Sequence, residues 1–166
     1  MLPQEGRVLD LSCGDGLFFE LVHRLYPKLN LTGVDSSVEE INKAQAQYTW
    51  AWFLVSNVEQ ISLPKHCFDV IFCNTSFHHF KDPLKMLSEA KRVLKNNGVI
   101  YIMDTLPKNR LSQILYNWRG CPAPYHFEKY YTLPEIEKLV NVSGLKTVKE
   151  LKISFFPRSL ALEIRK

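Results

Sequence analysis

Val8-Leu9-Asp10-Leu11-Ser12-Cys13-Gly14-Asp15-Gly16 is the stretch on which the reading of this chain turns. β-Favouring residues run into an acid, then into a loop with two glycines, then into a segment of helical apolar period. That order describes a strand, a tight turn and a helix start. Glycine lets a backbone approach a ligand closely, because no Cβ intervenes and positive φ is allowed. A helix N-terminus behind such a loop offers free N–H groups and the positive end of a dipole. The stretch predicts the floor of a pocket for a nucleotide-type ligand.

Outward from it, the same alternation repeats. Arg7–Leu11 reads as a buried strand with a near-continuous apolar run, as a parallel sheet requires. Phe18, Leu21, Val22 and Leu25 recur at helical spacing and face the core in this reading, with Pro27 as the stop. Leu29–Val34 is a second strand ending at Asp35. Val38, Ile41, Gln45 and Tyr48 define a second helix capped by Ser36 or Ser37. Trp50–Val55 and Phe68–Cys73 are the third and fourth strands. Asp82-Pro83 opens a helix that Leu84, Leu87 and Leu94 carry to Asn96-Asn97-Gly98. Val99–Met103 is a fifth strand ending at Asp104.

Leu106–Tyr131 is the least regular segment and the richest in aromatics. Thr132-Leu133-Pro134-Glu135 is a capping box that opens a helix with Ile136, Leu139 and Val140 inward. Beyond Gly144 the period changes to two. Leu151, Ile153 and Phe155 form one strand; Leu160, Leu162 and Ile164 form another. Only Phe156-Pro157-Arg158-Ser159 joins them, too few residues for a parallel crossover, so they pair antiparallel. The fold class is α/β: a doubly wound, mostly parallel seven-stranded sheet with a C-terminal antiparallel hairpin, one domain over residues 1–166.

Composition excludes several classes. The chain is 46% hydrophobic and 23% charged, as an ordinary globular domain is. It has no uninterrupted apolar run of the ~18 residues that a membrane span needs. Its beginning lacks the basic-then-apolar order of a signal peptide. The four cysteines show no C-x-x-C spacing, and three of them sit in apolar or loop contexts typical of reduced thiols, which gives a cytoplasmic expectation. A net charge of +4 is spread rather than clustered, so charge does not single out nucleic acid as a partner.

The carboxyl ends of the predicted strands are Ser12–Gly16, Asp35, Asn57, Asn74–Ser76 and Asp104, each polar or glycine after an apolar run. In a doubly wound sheet the ligand lies there. Asp35 stands nineteen residues after Gly16, where a carboxylate accepts hydrogen bonds from both ribose hydroxyls. The plainer reading of Asp35 is a helix cap. A dinucleotide loop wants G-x-G-x-x-G, but the third glycine is missing here and Asp15 adds negative charge. A pyrophosphate would meet Asp10 and Asp15 unfavourably, whereas a cationic ligand would not.

The chain resembles the class I S-adenosylmethionine-dependent methyltransferases, in the type 11 group that includes the ubiquinone/menaquinone methylases. Asp10–Gly16 is similar to that family's D-x-G-x-G-x-G motif. Leu31–Ser37 is similar to its acidic second-strand loop, and Phe68–His79 to its fourth-strand motif. Arg92-Val93-Leu94-Lys95-Asn96-Asn97-Gly98 is similar to R-V-L-K-P-G-G. The closing hairpin matches the family's reversed seventh strand, so the resemblance implies a Rossmann-like fold over nearly the whole chain and S-adenosylmethionine as cofactor. It also implies roles. Gly14 and Gly16, with Ser12 and Cys13 in the same loop, would bed the methionine moiety. Asp10 would orient the loop or take the ammonium through water. Asp35 and Ser36 would serve the ribose, Asn57 and Val58 the adenine, and the Asn74 carbonyl the ammonium group.

His78, just past the fourth strand, and Asp104, after the fifth, match a histidine and acid that act together in some small-molecule O-methyltransferases. Their bland alternative is packing and capping. His78-His79 is too short a cluster to argue a metal site. The turn Asn74-Thr75-Ser76-Phe77 is not the Pro-Pro-aromatic turn of amino-group methylases, which leaves a small-molecule acceptor favoured over nucleic acid or protein. Two departures stand out. Ser12 replaces the first motif glycine. Asp10 lies only nine residues into the chain, so the usual N-terminal lid helices are expected to be lacking. Those departures support a rival expectation: a cofactor-binding, weakly active partner subunit of another methyltransferase, in an oligomer. An NAD-dependent reductase is disfavoured by the loop and by the hairpin.

Overall fold

The computed structural model describes residues 2–119, 129–155 and 158–166. Its centre is β1 (Gly6–Leu11), flanked by β2 (Leu29–Asp35) and β4 (Phe68–Asn74). With β3 (Trp52–Val55), β5 (Leu94–Thr105), β6 (Lys146–Phe155) and β7 (Arg158–Arg165), the order is β3-β2-β1-β4-β5-β7-β6. Strands β1 to β5 run parallel; β7 lies antiparallel to both β5 and β6. The expected seven-stranded doubly wound sheet and its reversed hairpin are both present.

Alternation along the strands explains the two cores. Val8, Val70 and Phe72 point to one face, where α1 (Leu17–Leu25) and α2 (Val38–Gln47) supply Phe19, Val22, Ile41 and Ala44. Leu9, Leu11 and Ile71 point to the other, against Met86, Leu87 and Ala90 of α3 (Pro83–Val93) and Ile136 and Val140 of α5 (Leu133–Val142). A strand apolar on both faces needs helices on both sides. Order reverses between β1 and β4, and that switch point is where such sheets bind ligands.

Several boundaries differ from expectation. Helix α3 stops at Val93 rather than running to Asn96-Asn97-Gly98, because Leu94 is extended and pairs with Phe68 of β4. The Lys95 ammonium holds this early start of β5 by contacting both oxygens of Asp69 at 2.9 and 2.8 Å. Residues 95–98 then bulge before pairing resumes at Val70↔Val99. On α1 the core residues are Phe19 and Val22, whereas Leu21 and Leu25 are 45% and 60% exposed. The stretch after β5 is less irregular than its composition suggested. It holds α4 (Arg110–Arg119), opened by Asn109 and Ser112 capping each other: Ser112 N donates to Asn109 Oδ1 at 2.9 Å, and Asn109 N to Ser112 Oγ at 3.0 Å.

β3 begins at Trp52 rather than Trp50, and β6 begins at Lys146, earlier than its period-two run. Pairing of Phe155 with Arg158 shortens the hairpin connection to residues 156 and 157, which lie outside the described residues. In the aromatic-rich segment after β5, Tyr125, His126 and Phe127 also lie outside them, as does Cys121. Tyr131 is buried against Phe77, while Trp118 is exposed. Cys13, Cys67 and Cys73 are buried and unpaired. Among the described residues no helix is long and apolar enough to cross a membrane, and no cluster could hold a metal ion.

Candidate active site

The loop between β1 and α1 is built from residues in left-handed conformation: Ser12, Gly14 and Gly16, with φ of 60°, 53° and 80°. Ser12 adopts the conformation a glycine would take there, at a steric cost that a side chain normally avoids. A Cβ at Gly16 would sit 3.0 Å from the Tyr48 ring and 3.1 Å from Phe53, so this position is closed to larger residues twice over. A Cβ at Gly14 would meet only Glu40 Oε2, at 4.0 Å; this glycine borders open space.

Asp35 holds the loop in place. Its Oδ2 accepts from Gly14 N and its Oδ1 from Ser37 N, each at 2.9 Å. Cys13 N reaches Val34 O at 3.1 Å, which ties the loop to β2. Each Asp35 oxygen keeps a second lone pair, so the carboxylate can fix the loop and still accept from a ligand hydroxyl. The helix-cap reading and the ligand reading are thus compatible. Asp15 caps α1, accepting from Leu17 N at 3.2 Å.

Asp10 is the anomaly of the site. It is 2% exposed at the end of β1, and its Oδ1 is buried with no hydrogen-bond partner. Burial, and secondarily the charge of Asp35, pushes its carboxyl up to about 8. An unpaired buried acceptor costs about 1–3 kcal/mol until something donates to it. Burial likewise pushes the neighbouring Cys13 thiol up, with Asp10 adding to the shift, so Cys13 stays protonated and inert.

Two cavities meet at Ser12. One, of about 470 Å³, is bounded by Asp10, Ser12, Cys13, Phe18 and Asn74, and by exposed Leu17 and Leu21 of α1. The other, of about 260 Å³, is bounded by Ser12, Ser36, Asn57, Val58, His79 and Phe80. An elongated ligand lying over Ser12 would place one end in each. The sequence thereby brings together Asp10, Ser12, Cys13 and Asn74 on one side, and Ser36, Asn57 and Val58 on the other. Gly14, Gly16 and Asp35 line neither cavity and act on the loop's shape. The Asn74 carbonyl already accepts from Ser76 Oγ at 2.7 Å. Leu17, Leu21 and Phe80 are lining residues that the sequence reading misses, whereas His79 follows the fourth strand at the mouth of the pocket as expected; for α1, apolar residues on too many faces were the available sign.

His78 and Asp104 do meet. The single turn Phe77–His79 after β4 places His78 Nδ1 at 2.9 Å from both Asp104 oxygens, and His78 N donates to Oδ2 at 3.1 Å. A carboxylate at Nδ1 fixes the proton there and leaves the lone pair on Nε2. The pair is buried, with His78 6% and Asp104 4% exposed, and the Tyr130 ring stacks on the imidazole at 4.5 Å.

A parallel sheet with a reversed seventh strand, a glycine loop at the switch point and an acid closing β2 define a class of protein. Residues 9–102 match the family described as a methyltransferase domain, and the chain belongs to that family, whose cofactor is S-adenosylmethionine. It is 34% identical over 103 residues to a demethylmenaquinone methyltransferase of Thermotoga maritima, covering 62% of this chain and 45% of that relative. It is 31% identical over 102 residues to a trans-aconitate 2-methyltransferase of an Enterobacter species, covering 61% and 39%. The chain thus spans less than half the length of these curated relatives. In fold it is similar to a SAM-dependent methyltransferase from Aquifex aeolicus, with a TM-score of 0.77 at 22% identity over 96% of this chain and 81% of that one.

Proposed function

We propose that residues 1–166 form a single domain that transfers a methyl group from S-adenosylmethionine to a small-molecule acceptor. Asp10 carries this reading: a buried carboxyl with a free acceptor oxygen, beside a cavity, suits a ligand that brings an ammonium group to it. The donor set fits the cofactor. Asp10 and the Asn74 carbonyl would receive the ammonium group, the Gly14–Gly16 backbone the methionine chain, Asp35 and Ser36 the ribose, and Asn57 and Val58 the adenine. Bound there, S-adenosylmethionine supplies an electrophilic methyl on a positively charged sulfur.

Alignment of acceptor and methyl supplies much of the acceleration in such a displacement. The two cavities that share Ser12 would set it. Where the acceptor carries a proton, His78 Nε2 takes it while Asp104 holds the ring and stabilises the imidazolium. The relatives act, by their names, on demethylmenaquinone and trans-aconitate, which supports a small-molecule acceptor. Three unpaired thiols suit a reducing compartment, the cytoplasm.

The test is a radiolabelled methyl-transfer screen over metabolite pools, small RNA and protein extracts. Labelling of the metabolite fraction is expected. Binding of S-adenosylhomocysteine with no labelled fraction would instead favour the partner-subunit reading, which the strained Ser12 motivates. With the acceptor in hand, His78→Asn is informative, because an amide N–H can still bond Asp104 while Nε2 is lost. Turnover should fall about a hundredfold or more. Unaltered turnover removes His78 as base.

A further inference from the structure

A third cavity, of about 540 Å³, lies between the starts of α4 and α5 and is absorbed by none of the roles above. Its wall carries Lys108, Arg110 and Lys129. Its one acid, Glu135, is held through one oxygen by the helix cap and lies within electrostatic reach of Lys129. Glu135 Oε2 accepts from Thr132 N at 2.8 Å, Thr132 Oγ1 at 2.9 Å and Gln113 Nε2 at 2.6 Å. Among the described residues Lys108 and Arg110 form no ion pair, and Lys129 Nζ sits 5.0 Å over the Tyr131 ring. The helix ends here cap themselves through Asn109 with Ser112 and Thr132 with Glu135, so the excess of positive charge in the lining comes from the three side chains against one acid.

The cavity adjoins the proposed reaction centre. Lys129 N donates to the His78 carbonyl at 2.8 Å, and the next residue, Tyr130, stacks on the His78 ring. Three cations lining one recess beside a held histidine suit an anionic ligand. Arginine's planar fork suits a carboxylate, and two flanking ammonium groups accommodate a second. The volume falls in the ~300–1,000 Å³ range of small-molecule sites. A nucleic-acid backbone would instead call for cations spread along a surface.

We infer that Lys108, Arg110 and Lys129 bind the carboxylates of the acceptor, so that the substrate class is a small acid with two or more carboxylate groups. This rests on the methyl-transfer reading for its purpose, but the anion site itself does not. Calorimetry of the chain with tricarballylate, with and without S-adenosylhomocysteine, tests it against the exposed-site variant Lys108→Gln/Arg110→Gln. Tricarballylate should bind the wild type, and its affinity should fall at least tenfold in the variant, with S-adenosylhomocysteine affinity unchanged. Equal affinity in both proteins, or no tricarballylate binding, overturns the proposal. So does binding of inorganic phosphate or single-stranded RNA in its place. Failure of S-adenosylhomocysteine to bind the wild type, with tricarballylate behaving as expected, would sink the methyl-transfer reading and leave the anion site standing.

Discussion

The carboxyl of Asp10 links the stability of the chain to its proposed function. Its folded pKa of about 8 lies above the ordinary 3.8, so the folded state keeps a proton that the unfolded chain releases. Between those two values stability therefore falls as pH rises, and above about 8 the loss is complete. Asp10→Asn removes this titration: its thermal midpoint should hold between pH 5.5 and 8.5 better than that of the wild type. Parallel curves would mean that Asp10 is not buried as described. Gly16 makes a second prediction at this scale. With φ of 80° and two aromatic rings about 3 Å from any Cβ, Gly16→Ala should cost about 1–3 kcal/mol in urea denaturation. No loss would contradict the loop geometry. The acid, the glycines and Asp35 were legible in the sequence because their chemistry is local. That Asp35 also accepts from Gly14 N was not, since it depends on where two distant turns meet.

Helix α1 shows how an element's apolar pattern can mislead. Leu17, Phe18, Phe19, Leu21, Val22 and Leu25 leave few polar positions, and spacing alone cannot choose the buried face. The sheet chooses: Phe19 stacks on Phe53 with ring centroids 5.3 Å apart, while Leu17 and Leu21 border the cavity beside Asp10. Phe19→Ala should therefore cost about 3–5 kcal/mol, and Leu21→Ala less than about 1 kcal/mol, in the same denaturation assay. The reverse order would restore the inward face that spacing suggested. Helix α4 escaped sequence reading because its N-cap pairs Asn109 with Ser112 rather than with the Glu or Gln of a capping box. Asn109→Ala should lower stability by about 1 kcal/mol and speed amide exchange in the first turn of α4. Helix α3 ends early for a tertiary reason. Pairing of Leu94 with Phe68 and the Lys95–Asp69 contact outweigh the Asn-Asn-Gly stop three residues on.

At the scale of the molecule, the strand order puts β1 and β4 side by side and so opens the switch point where the two cavities meet. The sequence held the sheet, because alternating β and α segments and a short hairpin admit few topologies. It did not hold the convergence of Lys108 and Arg110 with Lys129, which comes from α4 and α5 starting near one another. The same topology brings His78 to Asp104 across twenty-six residues, a pairing that depended on resemblance rather than spacing. The proposed site is one for a cationic nucleoside ligand held by Asp10. Titration calorimetry with S-adenosylhomocysteine and with NADH, on the wild type and Asp10→Asn at pH 6, 7 and 8, tests it most directly. A bound ammonium requires the ionised carboxylate, so binding should release a proton. Wild-type affinity for S-adenosylhomocysteine should then climb by up to about tenfold per pH unit toward pH 8. In Asp10→Asn it should be weaker and flat, with NADH silent throughout. Binding of NADH alone, or identical pH profiles for the two proteins, would contradict the account.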